Sequence, residues 1–196
     1  MDAGARFGMI EHSTRYLATL HATTDAFDWQ LVEPLAQRML EVIRNKNQVF
    51  ICGNGGSAGN AIHLANDFLY GVEPNGGAMR VEALPANSAV LTCLGNDIGY
   101  DNIFSHQLKV KANADDVLIV LSGSGNSANI ISVLEQANVM GVTSFAILGF
   151  TGGKAKEIAD FPLHFEVNDM QISEDLQVIV GHILMQYLHE KLRDDL

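Results

Sequence analysis

Basic residues are scarce in this chain: its 196 residues carry 12 Lys and Arg against 23 Asp and Glu, a formal charge of −11 at pH 7. A general nucleic-acid binder neutralises phosphates with clustered cations, so the balance excludes that class. Cysteine is scarcer still. Cys52 and Cys93 fit neither a disulfide framework nor a metal motif, and the natural setting is a reduced, cytoplasmic one. Long apolar runs are also missing. Val117 to Leu121 and Phe145 to Leu148 are strand-sized and fall far short of the ~20 residues that span a bilayer, so no membrane segment is expected. What is present is apolar material for a core: 47% of the chain is hydrophobic and only 18% charged, which excludes a disordered chain.

Met1 to Gly8 lack the apolar centre of a secretion signal and read as an extension before a single domain covering 9–196. Apolar residues recur at helical spacing from Ile10 to Ala26 and from Trp29 to Arg44, where Leu31, Val32, Leu35, Leu40 and Ile43 share one side. The pattern then turns to Val49-Phe50-Ile51-Cys52, a buried strand stopped by Gly53, with a helix expected from Ser57 to Tyr70. Further strands are expected at Met79 to Leu84, Val117 to Leu121, Thr143 to Leu148 and Pro162 to Val167. Helices are expected at Ala86 to Leu94, Asn102 to Ala112, Asn126 to Met140 and Ile172 to Leu192. Uniformly apolar strands alternating with helices indicate an α/β fold, a doubly wound, mostly parallel five-stranded sheet covered on both faces.

Two strands end in the same device. The first runs into Gly53-Asn54-Gly55-Gly56-Ser57-Ala58-Gly59-Asn60 and the third into Ser122-Gly123-Ser124-Gly125-Asn126-Ser127-Ala128-Asn129. Glycines permit a tight turn and close backbone approach, while hydroxyls and the free amides of the following helix offer donors to an anion. Each turn also fits the dinucleotide fingerprint with Ala in its last place. That reading requires an acid at the end of the next strand, and neither turn has one. A plain strand-to-helix turn competes for either motif alone. Two Ser-rich turns at strand carboxyl ends favour a ligand site.

His63 and Asp67, four apart, project from one side of a helix. Glu174 and His182, eight apart on the last helix, fall on a similar side two turns away, and imidazoles with carboxylates are ordinary zinc ligands. Taken singly they also fit blander roles, an exposed helix pair and a first-turn acid. His12, His21, His164 and His189 read as surface or packing residues, and His106 as an outlying candidate near Asp97. His182 follows Gly181, whose missing side chain lets another backbone or a ligand come close; a buried core histidine is the competing account.

Cys52-Gly53-Asn54-Gly55-Gly56-Ser57, Gly95-Asn96-Asp97, the second Ser-rich turn and His182-Ile183-Leu184-Met185-Gln186 together resemble the sugar isomerase (SIS) domain, specifically the phosphoheptose isomerases, over about Met9 to Leu192. The resemblance implies a homotetramer with active sites between subunits. It also implies conversion of D-sedoheptulose 7-phosphate into a D-heptose 7-phosphate for surface polysaccharide, that is lipopolysaccharide, synthesis. By the same resemblance Ser57, Ser122, Ser124 and Ser127 hold the substrate phosphate with Gly55, Gly56 and Gly123, and Asn54, Asn96, Asp97 and Glu174 line the sugar site. Asp67 and His182 match the family's acid–base pair, and zinc is implied at His63, Asp67, Glu174 and His182. The chain departs from the family pattern at three places: Asp67 stands for Glu, Glu174 for Gln and Gln177 for His.

Those departures leave two other readings open. One is a non-catalytic tetramer resembling the bacterial relative that binds the replication initiator protein; the other is an isomerase of a different sugar phosphate. Oligomer formation has a separate motive in the terminal helix. Ile172, Leu176, Ile179, Val180, Ile183, Leu184, Tyr187 and Leu188 form a stripe wide enough for more than one neighbour, although the sheet alone is an alternative cover.

Overall fold

The computed structural model describes residues 8–75 and 77–194; apart from Gly8, the extension read at Met1 to Gly8 lies outside them. Five strands, β1 (Gln48–Gly53), β2 (Arg80–Ala83), β3 (Val117–Ser122), β4 (Thr143–Leu148) and β5 (Phe161–His164), form one sheet in the order β2-β1-β3-β4-β5. Every pairing is parallel. The helices are α1 (Met9–Ala26), α2 (Glu33–Asn45), α3 (Gly56–Asn66), α4 (Ser88–Asp97), α5 (Ser105–Lys111), α6 (Ala128–Met140), α7 (Ala155–Ile158) and α8 (Met170–Asp194).

Strand periodicity divides the core into two. Val49, Ile51, Val117, Ile119, Leu121, Phe145 and Ile147 face one side, against Leu35 and Met39 of α2, Ala61 and Leu64 of α3, and Leu176, Val180 and Leu184 of α8. The alternate residues Phe50, Cys52, Leu118, Val120, Ala146 and Leu148 face the other, against Leu108 of α5 and Ile130, Val133 and Leu134 of α6. Both faces are therefore apolar, which is why the strands read as unbroken hydrophobic runs.

Several boundaries differ from the sequence reading. A 3-10 turn at Trp29–Val32 precedes α2, because Asp28 accepts the Gln30 amide and tightens the entry. The helix after β1 widens into a π-helical segment at Asp67–Gly71. The expected strand from Pro162 to Val167 stops at His164. Beyond it, Phe165 donates to Leu148 O, the last residue of β4, and Phe150 donates to Val167 O, so the pairing passes from the end of β4 onto the loop after it. The four-residue α7 is too short to leave a periodic signal. Helix α8 begins at Met170, before the expected Ile172, with Asp169 Oδ1 accepting the Ile172 amide. Glu174 therefore sits beyond the first turn, and its reading as a first-turn acid is corrected.

Two helices stand outside this core. No residue of α1 or of α4 is buried, and Met9, Ile10 and Leu17 are exposed on α1. Of the stripe on α8, Ile172, Leu176, Val180, Leu184 and Leu188 are buried in the chain itself, while Ile183 stays 44% exposed.

Candidate active site

The strand order reverses between β1 and β3, and an open parallel sheet leaves a crevice at that point beyond its carboxyl ends. Both glycine turns lie there. They line one cleft of about 270 Å³ with Asn54, Gly55, Gly56, Ser57, Ser122, Gly123, Ser124, Ser127, Met170 and Glu174. Backbone geometry accounts for the glycines. Gly55 adopts φ +56°, and a Cβ on Gly53 would lie 2.7 Å from that of Ser57 and 2.8 Å from Leu121 O, so these positions exclude side chains.

Among the described residues no Lys or Arg lines the cleft. The donors that it offers are the amino ends of α3 and α6, whose first amides lack intrahelical acceptors, and serine hydroxyls, with the Glu174 carboxylate beside them. Ser127 stands at the N-cap of α6 without capping it, which leaves its hydroxyl for a ligand. The oxygens of Ser122 and Ser124 accept from the amides of Gly125 and Asn126 at 3.1 and 3.3 Å. A second loop braces this turn: Gly123 O accepts from Gly149 and Gly125 O from Ala155 at 3.0 Å each.

Helices α3 and α8 lie side by side and run in the same direction. Glu174 meets Gly56, Gln177 meets Ser57 and Asn60, Gly181 meets Leu64, His182 meets His63 and Asp67, and Met185 meets Gly71. Gly181 permits the approach, since a Cβ there would overlap the Leu64 side chain. At the far end of this seam His63 Nε2 and His182 Nε2 are 2.9 Å apart, and Asp67 Oδ2 lies 3.5 and 3.2 Å from them. The His63 and His182 side chains are 48% and 44% exposed and Asp67 is 16% exposed. The core-histidine account of His182 therefore fails.

Among the described residues these three are the group whose ligand atoms converge for a metal. Glu174 is not in it. Eight residues of helix are about 12 Å of rise, so Glu174 faces the serine cleft while His182 faces Asp67, and the four-ligand set is corrected to three. The remaining set suits zinc. Tetrahedral bonds of ~2.0 Å place ligand atoms ~3.3 Å apart, and separations of 2.9 to 3.5 Å bracket that value. Three protein ligands with an open fourth position is the arrangement of catalytic rather than structural zinc.

Asn54 lines the cleft, but its side chain is committed: it exchanges two 2.8 Å hydrogen bonds with Asn129 and accepts from Tyr100 at 2.9 Å. Asn96 and Asp97, expected at the sugar site, are exposed at the end of α4 and do not line the cleft. Asn96 donates to Asp97 at 2.8 Å, and Cys93 Sγ lies 3.6 Å from it. The sequence reading gave no role to Asn60, Tyr100 or Asn129. The signal for two of them was present, because both glycine turns end in Asn. Of the other histidines, His164 and His189 contact the carbonyls of Phe150 and Val72, His12 and His21 contact Arg15 and Asp25, and His106 lies in a separate groove between α4 and α5.

The SIS domain family matches residues 14–149. The phosphoheptose isomerase of Aneurinibacillus thermoaerophilus is 32% identical over 163 residues, 83% of this chain and 82% of that protein. The one from Akkermansia muciniphila is 34% identical over 161 residues, 82% and 85% of the two chains. The solved phosphoheptose isomerase from Neisseria gonorrhoeae shares 28% identity at a TM-score of 0.84, over 93% of this chain and 100% of that one. For the enzyme from Francisella tularensis the values are 25%, 0.87, 94% and 100%.

Proposed function

The chain belongs to the SIS domain family and is an aldose–ketose isomerase of the phosphoheptose isomerase group; from that premise we propose that it converts D-sedoheptulose 7-phosphate into D-glycero-D-manno-heptose 7-phosphate. The observation that carries this reading is the placement of a serine-lined cleft and a His–Asp–His cluster along one helix seam. Ser57 and His63 are six residues apart on α3, about 9 Å of rise, the scale of an extended sugar chain. The phosphate sits among Ser57, Ser122, Ser124 and Ser127, and the carbonyl end reaches toward Asp67 and His182.

The reaction moves a proton between adjacent carbons through an enediol. Asp67, held between two imidazoles, takes the proton from C1 and returns it at C2. His182 gives a proton to the carbonyl oxygen as the enediol forms, then recovers one from the neighbouring hydroxyl. His63, Asp67 and His182 would hold zinc, and a bound ion would supply the carbonyl polarisation in place of the proton from His182. Glu174, at the cleft end of the seam, accepts from sugar hydroxyls. Tyr100 braces the cleft through its bond to Asn54, whereas Asn96 and Asp97 stand outside the cleft of this chain.

Homotetramer formation is part of the proposal. An 18-residue helix with no buried residue, α1, gains little stability alone, and a neighbouring subunit would cover its apolar side together with Ile183. Among the described residues no helix is long and apolar enough to cross a membrane, and both cysteines are free; we place the enzyme in the cytoplasm, serving surface polysaccharide synthesis. The test is incubation with sedoheptulose 7-phosphate, with and without added zinc. Aldose product is expected, and His182→Gln should lower turnover by ~10²- to 10⁴-fold with the thermal midpoint kept. Absence of product under both conditions would overturn the substrate assignment, and a panel of five- and six-carbon phosphates would then identify another sugar. Near-normal turnover of the variant would remove His182 from the mechanism.

A further inference from the structure

A site that binds phosphate with hydroxyls and amides depends on where each hydroxyl points its single hydrogen. For Ser57 the answer follows from the network behind it. Asn60 Nδ2 donates to the backbone oxygen of Glu174 at 3.0 Å, and a carbonyl only accepts, so the amide nitrogen of Asn60 faces α8. The second hydrogen of that nitrogen goes to Gln177 Oε1 at 3.0 Å. The oxygen of Gln177 is thereby turned to Asn60 and its nitrogen to Ser57, where Nε2 donates to Oγ at 3.0 Å. Gln177 and Ser57 are 1% and 4% exposed, so water does not compete for these bonds. Ser57 Oγ receives a hydrogen from behind, and among the described residues its own hydrogen goes to no protein acceptor; it lies on the cleft wall.

We propose that Gln177 is a positioning residue that, through the Glu174 carbonyl and Asn60, fixes Ser57 as a hydrogen donor toward an anionic group in the cleft. This deepens the phosphate assignment and rests on it. A carboxylate at 177 inverts the relay. It only accepts, so it draws the Ser57 hydrogen backward and turns lone pairs toward the phosphate.

The experiment measures inorganic phosphate as a competitive inhibitor, together with KM and kcat for the sugar phosphate. The variants are Gln177→Glu, Ser57→Ala and the double substitution, with thermal midpoints recorded on each preparation. A hydrogen bond to a charged group lost in this way should raise the phosphate inhibition constant and KM by ~10- to 100-fold, with kcat within ~3-fold. In the Ser57→Ala background Gln177→Glu should add nothing further. A loss that persists there would assign the effect to charge repulsion and overturn the relay. Ser57→Ala weakening phosphate while Gln177→Glu leaves it unchanged would also overturn it. No effect of Ser57→Ala would instead overturn the phosphate assignment beneath it. Should Gln177→Glu fail to fold, Gln177→Met removes the donor without adding charge: a ~3- to 10-fold loss that vanishes in the Ser57→Ala background supports the relay, and no loss refutes it. Gln177→His keeps a ring N–H donor and should restore near-normal KM.

Discussion

Replacing Gly181 by Ala separates the packing of the helix seam from its chemistry. A Cβ at this position would overlap the side chain of Leu64, itself 1% exposed and without room to retreat. Overpacking of this kind costs ~1–3 kcal/mol. Alanine also has a helix propensity better than glycine by ~1 kcal/mol, so the net destabilisation is ~0–2 kcal/mol. For a chain of this size that lowers the thermal midpoint by up to ~8 °C.

The effect on catalysis should be disproportionate. His182 is the next residue, and its Nε2 meets His63 and Asp67 at 2.9 and 3.2 Å. Pushing α8 outward to relieve the overlap opens these contacts, and displacements near 1 Å cost ~10²-fold in rate. Gly181→Ala should therefore fold but turn over ~10- to 100-fold more slowly, with phosphate inhibition retained at the other end of the seam. Calorimetry and turnover on one preparation read both quantities, and Leu64→Ala in the same chain should recover part of the rate by making room. A Gly181→Ala enzyme with normal turnover would refute the claim that helix spacing sets the catalytic geometry.

Two further outcomes test electrostatics away from the seam. Tyr16 donates to Asp175 at 2.6 Å, and burial, followed by that carboxylate, pushes its phenol up to about 12. Its stabilising contribution is complete below the ordinary phenol range near ~10 and is lost as pH rises toward 12, because the unfolded chain releases that proton first. Spectrophotometric titration should show one late tyrosine that disappears in Tyr16→Phe; a normal titration of all tyrosines would refute the contact. Cys93 is exposed, yet its hydrogen bond to Asp97 and that residue's negative charge hold its thiol above the ordinary range. Asp97→Asn should speed its alkylation by iodoacetamide at pH 8, and an unchanged rate would show that the carboxylate does not govern the thiol.

The sheet was legible because its strands are buried on both faces, so Val117 to Leu121 and Thr143 to Leu148 need no alternation to be recognised. The two glycine turns were legible as a pair for a related reason: both lie at the point where the strand order reverses. Periodicity also placed His63 with Asp67, since four residues of one helix lie on one side. It misplaced Glu174, because angular position on α8 says nothing about what stands opposite each turn. Parallel alignment with α3 sets Glu174 against Gly56 and His182 against Asp67, and that alignment is a tertiary fact. The contacts of Asn60 and of Gln177, which stood out only as a departure from the family pattern, were not legible for the same reason. Their roles exist only as hydrogen bonds between two helices more than 100 positions apart in the chain.

The departure at Asp67 keeps a carboxylate at the junction of α3 and the π-helical segment. The resemblance implies Glu at this place, and aspartate is shorter by one methylene. Asp67 nevertheless comes within 3.2 and 3.5 Å of both imidazoles. It is also the first residue of the π-helical segment Asp67–Gly71. A π turn shifts the residues it contains relative to an α-helical path, and such segments recur at functional sites. Phe68 of this segment is buried in the same core as Leu64 and Val180, which anchors the segment to both helices of the seam. Asp67 itself keeps α-helical dihedrals and its amide still bonds back to His63 O, so its carboxylate reaches both imidazoles from the end of the α-helical path, and the widening falls on the residues that follow it. The departure at Glu174 is different in kind. It puts a carboxylate in the same cleft that is proposed to hold the phosphate, where it accepts hydrogen bonds and opposes, rather than strengthens, the attraction for an anion.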